Sequence, residues 1–181
     1  MKTYIALLRG INVSGQKLIK MDLLKTVLKE LEYQNIRTYI QSGNIVFDYK
    51  ETDTKNLEQQ ITAHIEKHFG FQVPVTILTV DNLKAIISQN PYSKRDLTDP
   101  AQPYVAFLSE TPTKEGVTVL DTVKFGDDEY TIQGKSMYVL YAQSAGTSKL
   151  SNSAIENKLK VKSTMRNWKT VHKLIEMAEA N

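Results

Sequence analysis

The stretch Ile36-Arg37-Thr38-Tyr39-Ile40-Gln41-Ser42-Gly43-Asn44-Ile45-Val46-Phe47-Asp48-Tyr49 decides the fold. Two runs rich in β-branched and aromatic residues, Ile36 to Ile40 and Asn44 to Tyr49, flank Gln41-Ser42-Gly43, a turn short enough to fold them back on each other as a hairpin. Upstream, Met21, Leu24, Val27, Leu28 and Leu31 recur at three- and four-residue steps, which predicts an amphipathic helix over Met21 to Tyr33. Asp22 stands in its first turn, where the helix dipole favours a carboxylate. Downstream, Leu57, Ile61, Ile65 and Phe69 predict a second helix over Lys55 to Phe69, stopped by Gly70. Aliphatic strands at Tyr4 to Arg9 and Val73 to Thr79 close the set. Strand, helix, hairpin, helix, strand is the split βαβ order of ferredoxin-like folds.

The remainder suggests a second α+β unit. A short helix over Asp81 to Gln89, with Asp81 as N-cap, precedes a Pro- and Asp-rich connector over Asn90 to Pro103. Tyr104-Val105-Ala106-Phe107-Leu108 then echoes Tyr4-Ile5-Ala6-Leu7-Leu8 one hundred positions earlier. Pro112 to Leu120 reads as a weak helix, and Glu129 to Gln133 and Met137 to Gln143 as strands about Gly134-Lys135. Asn152 to Lys160 and Met165 to Ala178 read as closing helices, which would make the repeat imperfect. The expectation is an α+β protein: a ferredoxin-like βαββαβ unit over 1–90, then an imperfect unit over 104–181 ending in basic helices, which could pack with the first as one compact domain.

Composition bounds the function. The chain has 181 residues, 41% hydrophobic and 24% charged, too apolar for disorder and too polar for a membrane protein. The absence of cysteine removes disulfides, thiol nucleophiles, iron–sulfur clusters and the usual zinc fingers. The apolar run near the N-terminus is too short for a signal-peptide core and ends in Arg9, so the expected location is the cytoplasm, with no membrane partner. His64 and His68 have one-turn spacing, but His64-Ile65-Glu66-Lys67-His68 matches neither HExxH nor HxxEH. No third ligand is evident downstream, so no metal is expected. Phosphate-loop, dinucleotide and nucleophile-elbow motifs are absent too, so no cofactor is expected and no catalytic residue can be named.

Two segments carry polar chemistry. Split βαβ topology sets the third strand antiparallel between the first two, so the loop Arg9 to Gln16 should meet the turn Gln41-Ser42-Gly43-Asn44 at one end of the sheet. Arg9, Asn12, Lys17, Lys20, Gln41, Ser42 and Asn44, with the N–H groups of a helix start, are what an anion would require. The alternative is that Asn12 and Asn44 satisfy turns while Arg9 pairs with a carboxylate. The second segment, Lys149 to Lys173, holds seven basic residues against one acid, Glu156. There Ser163 or Thr164 could cap a helix with Arg166 in its first turn, a placement that opposes the dipole unless an anion bridges it. Trp168 falls on the apolar stripe of that helix and reads as core.

The residues Tyr4-Ile5-Ala6-Leu7-Leu8-Arg9-Gly10-Ile11-Asn12-Val13, Lys17-Leu18-Ile19-Lys20-Met21 and Arg37 to Phe47 resemble the DUF1697 family of bacterial proteins. Lys149-Leu150-Ser151-Asn152 and Thr164 to Leu174 are similar to that family's second signature, with Ser14 and Lys169 standing where it often has glycine and asparagine. The resemblance implies an α/β domain of the bacterial cytoplasm and brings no assigned activity. The expected function is therefore binding of a phosphate-bearing ligand, a nucleotide or nucleic acid, through Arg9, Asn12, Lys17, Ser42, Asn44, Arg166 and Asn167. An enzyme acting on a small anionic substrate is the alternative, and a protein-interaction or structural module the default. The strand Asn44 to Tyr49 lacks the spaced aromatics of an RNA-recognition strand.

Overall fold

The computed structural model describes residues 1–95 and 102–180. Their order is β1 (Lys2–Leu8), α1 (Met21–Lys29), β2 (Gln34–Tyr39), β3 (Asn44–Tyr49), α2 (Thr54–Phe69), β4 (Val75–Thr79) and α3 (Val80–Ser88). There follow β5 (Gln102–Leu108), α4 (Lys114–Asp121), β6 (Glu129–Gln133), β7 (Ser136–Tyr141), α5 (Asn152–Leu159), β8 (Ser163–Asn167) and α6 (Trp168–Glu179). The chain divides into Met1–Ala85 with His172–Asn181 as one unit and Ile86–Val171 as the other. Of the connector expected over Asn90 to Pro103, residues 96–101 lie outside the described residues. Among the described residues no helix is long and apolar enough to cross a membrane.

The first unit has the expected split βαβ topology. Its sheet runs β2-β3-β1-β4, antiparallel throughout, with Ile5 and Leu7 on a central strand. Alternation along β1 and β3 turns Tyr4, Ala6, Leu8, Ile45 and Phe47 to one face, where Leu24 and Leu28 of α1 and Leu57, Ile61 and Ile65 of α2 cover them. Tyr33 stacks on Phe47 at 4.4 Å. Helix α2 starts where the Asp53 carboxylate accepts from Lys55 N–H and ends where Gly70 turns left-handed. Helix α3 is capped by Thr79, which exchanges hydrogen bonds with Asn82; Asp81, the expected cap, lies in the first turn.

The second unit repeats this frame strand for strand, in the order β6-β7-β5-β8. Leu7 pairs with Asn44 and Phe107 with Ser136; Leu8 pairs with Val75 and Leu108 with Ser163. Even the hydrogen bonds past the central strands recur. Leu8 and Leu108 donate N–H groups to the carbonyls of Gly43 and Lys135, both at 2.8 Å. Arg9 and Ser109 donate to those of Pro74 and Lys162, at 3.0 and 2.9 Å. The segment Ser163 to Asn167, expected to open a helix, is an edge strand on β5. Its polar residues mask a strand that is nonetheless buried: Ser163, Thr164 and Arg166 are all at or below 9% exposure. The halves are thus one topology used twice; both expected closing helices are present, the second starting at Trp168 after β8 rather than at Met165.

Candidate functional site

The connection between β1 and α1 is an ordered structure. Ile11 and Ile19 anchor it in the core, and between them Val13 and Gln16 form a one-bridge hairpin. Asn12 does the stitching. Its Nδ2 donates to Ile19 O (2.9 Å) and to Gln41 O (2.8 Å), while its Oδ1 accepts from Ile19 N–H (2.8 Å). The loop and the hairpin turn therefore meet as the topology requires, and Asn12 holds them together with its amide fully engaged.

The backbone here is unusually strained. Asn12, Ser14, Lys17 and Ile40 all have positive φ, as do Gly10, Gly15 and Gly43. A left-handed β-branched residue such as Ile40 (φ 49°) stores on the order of 1–3 kcal/mol. Gly43 is obligatory: at φ +77° a Cβ would lie 2.6 Å from Leu8 Cβ and 2.7 Å from Ile11 Cδ1.

Beside this junction lies an open groove of about 770 Å³. Leu18, Ile19, Met21, Leu23 and Phe69 supply apolar walls, and Asn12, Lys20, Asp22 and Gln41 the polar ones. Leu18 is 66% exposed and Leu23 50%, and Val13 in the same loop and Ile40 beside the hairpin turn are comparably exposed. The groove receives the start of α1, whose N-cap residue Lys20 makes no side-chain hydrogen bond to the helix. The first-turn N–H groups of a helix point beyond its end and have no acceptor within it. The Asp22 carboxylate bordering them is held below the usual carboxylate range by a hydrogen bond and charge from Lys25, 2.7 Å away.

Of the residues expected at the loop and turn, Asn12, Lys20 and Gln41 line the groove. Asn44 is fully buried and closes the turn, donating to Tyr39 O (3.0 Å) and Ser42 Oγ (2.9 Å). For both asparagines the turn-satisfying alternative describes the contacts. Lys17 reaches Gln72 O at 2.7 Å, and Arg9 lies outside the lining. Arg166 sits within β8 rather than in a helical first turn, so the dipole argument does not apply to it. Burial lowers its guanidinium to about 10, still charged at neutral pH, and Nη1 donates to Met165 O. Asn167 is the N-cap of α6, its Oδ1 accepting from Thr170 N–H at 2.8 Å. Trp168 is half-buried, edge-on to Tyr138. Of the basic segment, Lys169 and Lys173 lie one turn apart on α6.

What the sequence reading missed is the apolar wall. Leu18-Ile19 and Leu23-Leu24 each place two large aliphatic residues side by side where folding buries one. In both pairs the extra leucine is exposed.

Fold and site together define an α+β protein of two ferredoxin-like units, with an elaborated loop and groove on the first. The sequence profile of the family described as protein of unknown function, DUF1697, matches residues 1–138, and the chain belongs to that family. Among solved structures it is similar to a conserved bacterial protein, SP0830, from Streptococcus pneumoniae. The two are 23% identical over 98% of this chain and 99% of the other, with a TM-score of 0.70, a likeness of fold. An unknown protein from Galdieria sulphuraria aligns over 92% of this chain and 98% of its own at 10% identity, but a TM-score of 0.26 carries no structural argument. No curated protein matches the chain.

Proposed function

We propose that the protein is a cytoplasmic binding module for a small phosphate-bearing ligand of the nucleotide class, taken up in the groove at the start of α1. The observation that carries this reading is the pairing of an apolar wall with an uncapped helix start in one groove. The phosphate would fill the place a capping side chain usually takes, meeting the N–H groups of Met21 to Leu23 and the positive end of the helix. Lys20 would add charge. Leu18, Leu23 and Phe69 would cover the planar, less polar part of the ligand. The volume, about 770 Å³, suits a ligand of that size. Asp22 opposes an anion, and its pairing with Lys25 reduces that opposition. A small ligand is favoured over a polynucleotide because apolar side chains line much of the groove.

A thermal-shift screen of nucleotides and phosphorylated metabolites tests the reading. A ligand present at a hundred times its Kd should add about 2.7 kcal/mol of stability. Lys20→Glu and Leu23→Asp, both at exposed positions, should remove that gain while leaving the free protein's melting temperature nearly unchanged. No stabilising compound in the screen, or an undiminished gain in both variants, contradicts it.

A further inference from the structure

We propose that Glu30, His64 and His68 form a binding site for one divalent transition-metal ion, zinc being the ion that best fits the ligands. The two histidines lie one turn apart on α2 and so share a helix face. The sequence reading found no third ligand because it looked downstream. The third group is upstream, at the C-cap of α1.

The geometry is close to a coordination polyhedron. Glu30 Oε2 lies 3.4 Å from His64 Nε2 and 3.1 Å from His68 Nε2, and the candidate ligand atoms of all three residues fall within 4.8 Å of one another. Zinc–nitrogen and zinc–oxygen bonds of roughly 2.0–2.2 Å in a tetrahedron require ligand atoms about 3.3 Å apart. Two of the three edges already have that length. The rings stand 4.6 Å apart, each presenting its Nε2 edge to the carboxylate.

His64 pays little to turn its nitrogen to a metal. Its Nε2 contacts Val27 O at 2.9 Å, but that carbonyl also accepts from Glu30 N–H, so it keeps a partner when the imidazole leaves. The side chain of His64 is 12% exposed and that of Glu30 50%, which sets the cluster at a rim that an ion can enter and where water can complete the coordination. Two imidazoles and one carboxylate without thiolate suit zinc, nickel or cobalt, and offer too few oxygens for calcium or magnesium. A bound ion would cross-link the end of α1 to α2.

The test uses untagged, full-length protein freed of metal and titrated with zinc chloride at neutral pH by calorimetry. One zinc per chain is expected. His68→Ala and Glu30→Gln, both at exposed positions, should each weaken binding at least about tenfold. His172→Ala, which removes the one remaining histidine, should leave it unchanged. Circular dichroism checks that each variant is folded. Cobalt gives an independent readout: its visible absorption should develop with the wild type and be lost with His68→Ala. Absence of saturable zinc binding, wild-type affinity in both cluster variants, or loss of binding in His172→Ala overturns the assignment and leaves the three residues as a hydrogen-bonded surface cluster.

Discussion

The two units share strand order, register and the hydrogen bonds that close their central strands, and they differ in the lengths of their connections, most of all from the first strand to the first helix. From β1 to α1 the chain takes twelve residues, Arg9–Lys20; from β5 to α4 it takes five, Ser109–Thr113. The shorter version ends in an orderly cap, with Thr113 Oγ1 accepting from Gly116 N–H. The longer one ends at Lys20 with no side-chain cap, carries a run of left-handed residues and leaves leucines in solvent. A frame that can be closed with five residues does not need twelve for stability. Long ordered loops that store strain are characteristic of functional sites, which is the ground for proposing the ligand site on the first unit.

The largest effects should be common to both units. Ile61→Ala in the first and Leu120→Ala in the second each remove a fully buried side chain, and each should cost about 2 to 5 kcal/mol in urea denaturation. A loss below about 1 kcal/mol at either would show that core to be loosely packed and the units unequal in the part they share.

The next comparison isolates one position. Gly43 and Lys135 offer their carbonyls to equivalent N–H groups, yet only Gly43 is wedged against Leu8 and Ile11. Gly43→Ala should destabilise by about 2 to 4 kcal/mol through overlap and a disfavoured φ. Lys135→Ala, on an exposed turn, should stay within about 0.5 kcal/mol. Equal effects would remove the claim that the first unit's hairpin is packed under its loop. Asn12→Ala should cost about 1 to 3 kcal/mol, because Ile19 N–H and the Gln41 and Ile19 carbonyls lose their common partner. Hydrogen exchange should show the loss concentrated over residues 10–20. The smallest effect runs the other way. Ile40→Asn exchanges a strained β-branched residue for one that tolerates left-handed backbone, and should stabilise by up to about 1 kcal/mol in thermal unfolding.

Much of this was legible in the sequence because period and punctuation agreed. The hairpin about Gly43, the helices with Leu24 and Leu28 or Ile61 and Ile65 on one face, and the meeting of the Arg9 loop with the turn all follow from spacing. The echo of Tyr4 to Leu8 in Tyr104 to Leu108 marked the second central strand. What failed was β8, where Ser163-Thr164-Met165-Arg166-Asn167 offers a single apolar residue and looks like a capped helix start. Its strand identity comes from pairing with β5, a tertiary fact that no local pattern carries. The same holds for the roles of Asn12 and Asn44. An asparagine in a turn can contact a ligand or satisfy backbone, and only the positions of Ile19, Gln41 and Tyr39 decide between them. The acid beside His64 and His68 was hidden because Glu30 precedes them by more than thirty residues.

The claim that the elaborated end of the first unit holds a phosphate-bearing ligand is tested most directly by nuclear magnetic resonance. Isotope-labelled protein would be titrated with the nucleotides that stabilise it, and with inorganic phosphate alone. Saturable shifts at the amides of Leu18 to Leu23, with smaller ones at Gln41 and Phe69 and none along β5 to β8, are the expected result. Shifts confined to the second unit, or a silent Leu18 to Leu23 segment at saturating ligand, would contradict it.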